Sequence, residues 1–136
     1  MANIIGDTKD VRKGVLLASG VQATIIGPVD LLRYPHKAIT IYNGGSVTLS
    51  GAVIQTNADH QGDERTTQLA NPYATGSGPN AGLWENYDTT TFQSLASGGV
   101  KTKFINGDVA RWWRVLGINQ DTPDILTSGW VYGVAI

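Results

Sequence analysis

The chain contains no cysteine, which excludes a disulfide framework, a thiolate metal site and a Cys nucleophile. Charge is scarce as well. Asp, Glu, Lys and Arg make up 15% of the 136 residues, against roughly 25% in average soluble domains. Ten basic and eleven acidic side chains leave a formal charge of −1, so no electrostatic drive toward phosphate or anionic lipid exists, and neither nucleic acid nor membrane is expected as a partner. No apolar run approaches the roughly 18 residues needed to cross a bilayer. The opening MANIIGDTKDVRKG has no apolar core of signal-peptide length, so synthesis in the cytoplasm without export by that route is expected.

Residues able to do chemistry are also few. His36 and His60 are the only histidines, and neither stands in a triad order with a nucleophile elbow. The glycine-rich stretches Ser97-Gly98-Gly99 and Gly76-Ser77-Gly78 are not followed by Lys-Ser or Lys-Thr and precede no helix, so they are not phosphate loops. Asp59, His60, Asp63 and Glu64 could ligate a divalent cation but lack the register of an EF-hand and the paired histidines of a zincin helix. A solvated acidic loop is the simpler reading. No catalytic residue, no metal and no cofactor is assigned, and the chain reads as a non-enzymatic structural or binding protein.

What the sequence does contain is short apolar strands punctuated by Gly, Asn, Asp and Ser. Apolar positions alternate or come in β-branched runs rather than at 3.6-residue spacing. Strands are expected at about 11 to 18, 21 to 27, 37 to 43, 46 to 55, 83 to 87, 99 to 105, 109 to 118 and 129 to 136. The fold class is an all-β, antiparallel β-sandwich, jelly-roll-like or a related barrel, with little helix. Residues 1–10 are expected as an N-terminal arm and 11–136 as a single domain. Asn43-Gly44-Gly45-Ser46 predicts a hairpin between the third and fourth strands, and Asn106-Gly107-Asp108 predicts another between the sixth and seventh, because these residues tolerate positive φ. Pro28, Pro35 and Pro123 are read as turns. The connection 56–81 is unusually long for a compact domain and is the leading candidate for a contact loop.

In 109–118, adjacent Trp112 and Trp113 must point to opposite faces, one toward the core. Arg111 and Arg114 flank them and could stack on the rings or pair with carboxylates of a neighbour. An edge or interface role for this strand is expected. The last strand is apolar on both faces, which places Trp130 and Tyr132 in a central strand or between subunits. Trp84, beside the long loop, is the tryptophan expected to be exposed.

The succession Leu83-Trp84-Glu85-Asn86-Tyr87, Thr89-Thr90-Thr91-Phe92, Leu95-Ala96-Ser97-Gly98 and Ala110-Arg111-Trp112-Trp113-Arg114-Val115 resembles small β-sandwich virion proteins of tailed bacteriophages, of the capsid decoration or head-fibre type. The resemblance implies a cement protein on the capsid exterior that forms a homo-oligomer, commonly a trimer, and binds the major capsid protein. It also implies an N-terminal arm that adds a strand to the shell, a part that Ala2 to Asp10 could play. On this reading Ile4, Ile5, Tyr73, Trp84, Arg111 and Arg114 contact the partner, and Trp112, Trp130 and Tyr132 form the subunit interface. The alternative is a carbohydrate-binding module in which Trp84, Tyr73 and Tyr87 make an aromatic platform, aided by Asp59 and Glu64. A hydrolase built on the acidic loop around Glu64 is a third, distant reading.

Overall fold

The computed structural model describes residues 5–57, 84–107, 110–120 and 123–135. Eight strands run through them: β1 (Ile5–Leu17), β2 (Gln22–Asp30), β3 (His36–Asn43), β4 (Gly51–Asn57), β5 (Glu85–Asp88), β6 (Val100–Asn106), β7 (Trp112–Ile118) and β8 (Ile125–Ala135). They form two antiparallel sheets, β1-β8-β3-β6 and β2-β7-β4-β5. Within them β1 pairs with β8, β2 with β7, β3 with β6 and β4 with β5. That nesting is a long antiparallel ribbon rolled up on itself, and the extra pairs β3·β8 and β4·β7 close the roll. The order is that of a jelly roll.

Rolling a ribbon sends nearly every chain connection from one sheet to the other. Both predicted hairpins are therefore corrected: β3 and β4 lie in different sheets, as do β6 and β7. The turn residues are spent on anchoring corners. Asn43 is fully buried, and its side-chain amide donates to the carbonyls of Val47 (2.9 Å) and Leu95 (3.0 Å) while its oxygen accepts from the Gly45 amide. Gly107 has a φ of 78° and donates its amide to the Pro35 carbonyl at 2.8 Å, on the β2–β3 connection. Asn119, also buried, closes a third corner by donating to the carbonyls of Leu17 and Pro123.

Three further expectations change. Residues 5–10, read as part of an arm, are paired in β1, with Ile5 opposite Ala135 and Thr8 opposite Tyr132. Pro28 lies inside β2, at a shift in register between Ile26 and Val29. The strand carrying Trp112 and Trp113 is central, held between β2 and β4. The last strand is central too, as its apolar character indicated, between β1 and β3.

The core lies between the sheets. β3 alternates cleanly, with Lys37, Ile39, Ile41 and Asn43 buried and His36, Ala38, Thr40 and Tyr42 half-buried on the outside. Ile39, Ile41 and Val131 of one sheet meet Ile25, Ile26, Ile54, Trp113 and Val115 of the other. At about 25 cal/mol per Å² removed from water, side chains of this size each contribute about 1.5–3 kcal/mol. Lys37 belongs to this interior although it is cationic. Its ammonium donates to the Tyr34 carbonyl at 2.9 Å and lies 4.7 Å from the centre of the Trp113 ring, contacts that offset desolvation of the charge.

Candidate functional site

An antiparallel sheet with one face on the core normally turns polar residues to water on the other. The outer face of β1-β8-β3-β6 does not. The register aligns rows across all four strands: Thr8, Tyr132, Ala38 and Phe104 in one, and Val11, Trp130, Thr40 and Thr102 in the next. Below them Ser128, Tyr42 and Val100 stand side by side, and Leu16 stands opposite Leu126. No Asp, Glu, Lys or Arg occupies any of these positions, but exposed Lys13 stands in the β1 bulge beside Ser128, and His36 and Asn106 share the row beyond Ala38 and Phe104. Phe104 is 72% exposed and Val100 58%, the two most accessible large apolar residues among those described, and Leu126, Leu16, Tyr132 and Val11 are exposed beside them.

The surface of this face is shaped by local packing. Tyr132 lies across Gly6, so a Cβ at position 6 would overlap the phenol oxygen. The Thr40 and Thr102 hydroxyls bond to each other at 2.7 Å, satisfying polar groups within the apolar rows. Bulky Tyr132 and Phe104 thus flank small Ala38, which gives the face knobs and notches.

A second feature is a cleft of about 380 Å³ at one end of the sandwich, lined by Lys9, Asp30, Leu32, Arg33, Tyr34 and Arg111. Arg111 grips one Asp30 oxygen through Nε and Nη2, each at 3.0 Å. The other Asp30 oxygen accepts the Leu32 amide. The Lys9 ammonium donates to the Tyr34 hydroxyl at 3.2 Å, a bond that raises its pKa above the ordinary lysine value, and stands 3.5 Å from Asp7. Arg33 is exposed at the rim. Lys9, Arg33 and Arg111 against Asp7 and Asp30 leave this end with one net positive charge, carried by Arg33 at the rim.

The residues singled out in the sequence are not brought to one place. Trp130 and Tyr132 share the outer face of β8, whereas Trp112 starts β7 on the opposite sheet, under the Arg111 guanidinium at 5.3 Å. The Trp112 indole N–H is buried without a hydrogen-bond partner. Trp113 takes the core, donating its N–H to the Ala110 carbonyl at 2.7 Å. Trp84, expected to be exposed, is only 8% accessible, because the Arg114 guanidinium stacks on its ring at 4.1 Å. Arg114 is itself 1% accessible and donates to Gln55 at 2.9 Å. Burial pushes its pKa down to about 10, still charged at neutral pH. Tyr87 meets Trp113 edge-on at 4.9 Å and keeps an accessible flank.

Ile5 opens β1 opposite Ala135. Ile4, Tyr73 and the acidic group Asp59, His60, Asp63 and Glu64 lie outside the described residues, as does most of the 56–81 connection. Among the described residues no three His, Asp or Glu side chains gather as a metal site would need. The sequence already contained the signal for the outer face. Alternate positions of the last strand, Leu126, Trp130, Tyr132 and Val134, are apolar with Ser128 the exception, and Ile125 and Val131 on the other face are apolar too. The sequence does not single out Phe104, because one aromatic in Lys101-Thr102-Lys103-Phe104-Ile105 reads as an ordinary strand residue.

No family model and no curated protein matches the chain. Among solved structures it is similar to PirA, known from a crystal structure, over 98% of this chain and 94% of that one, at 11% identity and a TM-score of 0.36.

Proposed function

We propose that this protein is a non-enzymatic virion structural protein, a capsid decoration or cement protein that self-associates and attaches to the outer capsid surface. One observation carries the reading: a sheet face rich in exposed aromatic and aliphatic side chains, with Lys13 at its β1 margin as its one Asp, Glu, Lys or Arg among the described residues, whose natural state is burial against another protein. The resemblance of the strand and turn residues to phage virion proteins supplies the setting. The jelly-roll strand order is compatible with it, since that architecture recurs in capsid proteins, although lectin domains and cupins share it. Attachment then falls to the remaining surface, and the positive cleft with Arg111, Arg33 and Lys9 suits an acidic patch on the shell. Weak single contacts become firm when several subunits of one oligomer bind together.

The test is co-sedimentation with purified capsid shells of the wild-type chain and of Arg33→Glu, which removes a rim charge with no described internal contact. Saturable binding by the wild type, weakened about tenfold or more in Arg33→Glu with the melting temperature unchanged, is the expected result. A wild-type chain that leaves shells of every candidate host phage in the supernatant overturns the reading.

A further inference from the structure

Resting on the proposed structural role, and concerning the face that carries it rather than the attachment cleft, we propose that the outer face of β1-β8-β3-β6 is the subunit interface and that its occupant is a second copy of this chain. Four strands about 4.8 Å apart and about 26 Å long give a footprint of about 500 Å². Two copies together then remove about 1,000 Å², the lower bound for a specific interface. The chemistry of the face favours itself as a partner. Apart from Lys13 in the β1 bulge the face carries no Asp, Glu, Lys or Arg, so a partner that presents an ion to its centre strands that ion in an apolar contact, whereas a second copy presents none there. Its relief is also self-matching. Phe104 and Tyr132 project, while Ala38, Thr40 and Ser128 leave notches between them, so two copies can interdigitate as facing layers of a core do.

Two arrangements satisfy these observations, and both keep the same residues in the contact. Face against face about a two-fold axis gives an isologous dimer. Packing of the β6 edge, with Phe104 and Val100, onto the Trp130 and Tyr132 face of the next subunit gives a closed ring, as a trimer requires.

The experiment is sedimentation equilibrium with light scattering on the full chain from about 1 µM to about 500 µM, for the wild type, Phe104→Glu, Leu126→Glu and the control Val21→Glu. Val21 is about as exposed as Leu126, at 53% and 49%, but lies in the β1–β2 turn, outside both the face and the cleft. The expected result is an oligomeric wild type and Val21→Glu, with dissociation constants raised at least 100-fold in both face variants. Circular dichroism on the same samples confirms that these exposed positions leave the fold intact. A wild type that stays monomeric throughout, or an oligomer that both face variants retain, overturns the proposal. Failure here is separable from failure of the attachment role: an oligomer that ignores capsid shells sinks the latter alone, and a monomer that binds shells sinks only the interface.

Discussion

Asp88 shows how one side chain can organise a corner of this molecule. It ends β5, and its Oδ1 accepts the amides of Thr90 (2.8 Å) and Thr91 (2.9 Å) while Oδ2 accepts the Thr91 hydroxyl and faces Lys103 at 3.2 Å. Burial on its own would raise the carboxyl pKa. The Thr91 hydroxyl and amide, the Thr90 amide and Lys103 together outweigh it and hold the group well below the usual carboxylate range. A folded pKa depressed below the unfolded value of about 4 stabilises fully above that value and is lost as pH falls through the folded one. Asp88→Asn is thus expected to cost about 1–3 kcal/mol at pH 7, with the gap from wild type narrowing steadily below about pH 4. Urea denaturation at a series of pH values measures both. The Asp-Thr-Thr-Thr succession announced a turn in the sequence, but not Lys103, which arrives from β6 in the other sheet.

At the scale of elements, the sequence was legible wherever the physics is local. Alternation located eight strands, and the doubly apolar last strand, expected to be central or buried between subunits, is central, between β1 and β3. Local signals could not say which sheet a strand joins. Asn43-Gly44 and Asn106-Gly107 do reverse the chain, yet whether the returning strand pairs with its predecessor depends on groups far away, such as the Leu95 carbonyl that Asn43 reaches and the Pro35 carbonyl that Gly107 reaches. Trp84 was misjudged for a related reason: its cover, Arg114, lies on β7 and faces outward there, on a face the sequence could not complete. The stack also changes what Trp84→Ala should do. Loss of the ring leaves a cavity and uncovers a buried guanidinium, so a destabilisation of about 3–5 kcal/mol in guanidinium chloride unfolding is expected. Unchanged stability in that variant would mean that the stack contributes nothing.

On the scale of the whole molecule, polarity is divided between surfaces. Charged groups cluster at the ends and edges, in the Asp30–Arg111 and Lys9–Asp7 pairs, and one broad face carries only Lys13, at its β1 margin, among the described residues. Self-association through that face should therefore respond weakly to salt. Between about 50 mM and about 500 mM sodium chloride the dissociation constant is expected to change less than about threefold, whereas contacts through the positive cleft should weaken sharply over the same range because exposed charges are screened. Sulfate should strengthen self-association, since it favours apolar burial. Sedimentation in the two salts distinguishes these behaviours, and a steep loss in sodium chloride would point to the charged end as the interface.

The nested pairing also sets a schedule for folding. Among the described strands β4 and β5 are the only consecutive pair in one sheet, β3·β6 and β2·β7 enclose them in turn, and β1·β8 joins the two extremities of the described chain. Each outer pair spans a longer stretch of sequence than the one inside it, and its loop-closure entropy is met most cheaply after the inner pairs have formed. The roll is thus expected to close like a zipper from its middle outward and to open in reverse. β1, on that order last to dock and first to leave, borders β8, which carries Trp130 and Tyr132 on the same sheet. A subunit packed over that face would hold the final tooth shut, so that assembly would lengthen the lifetime of each fold it joins.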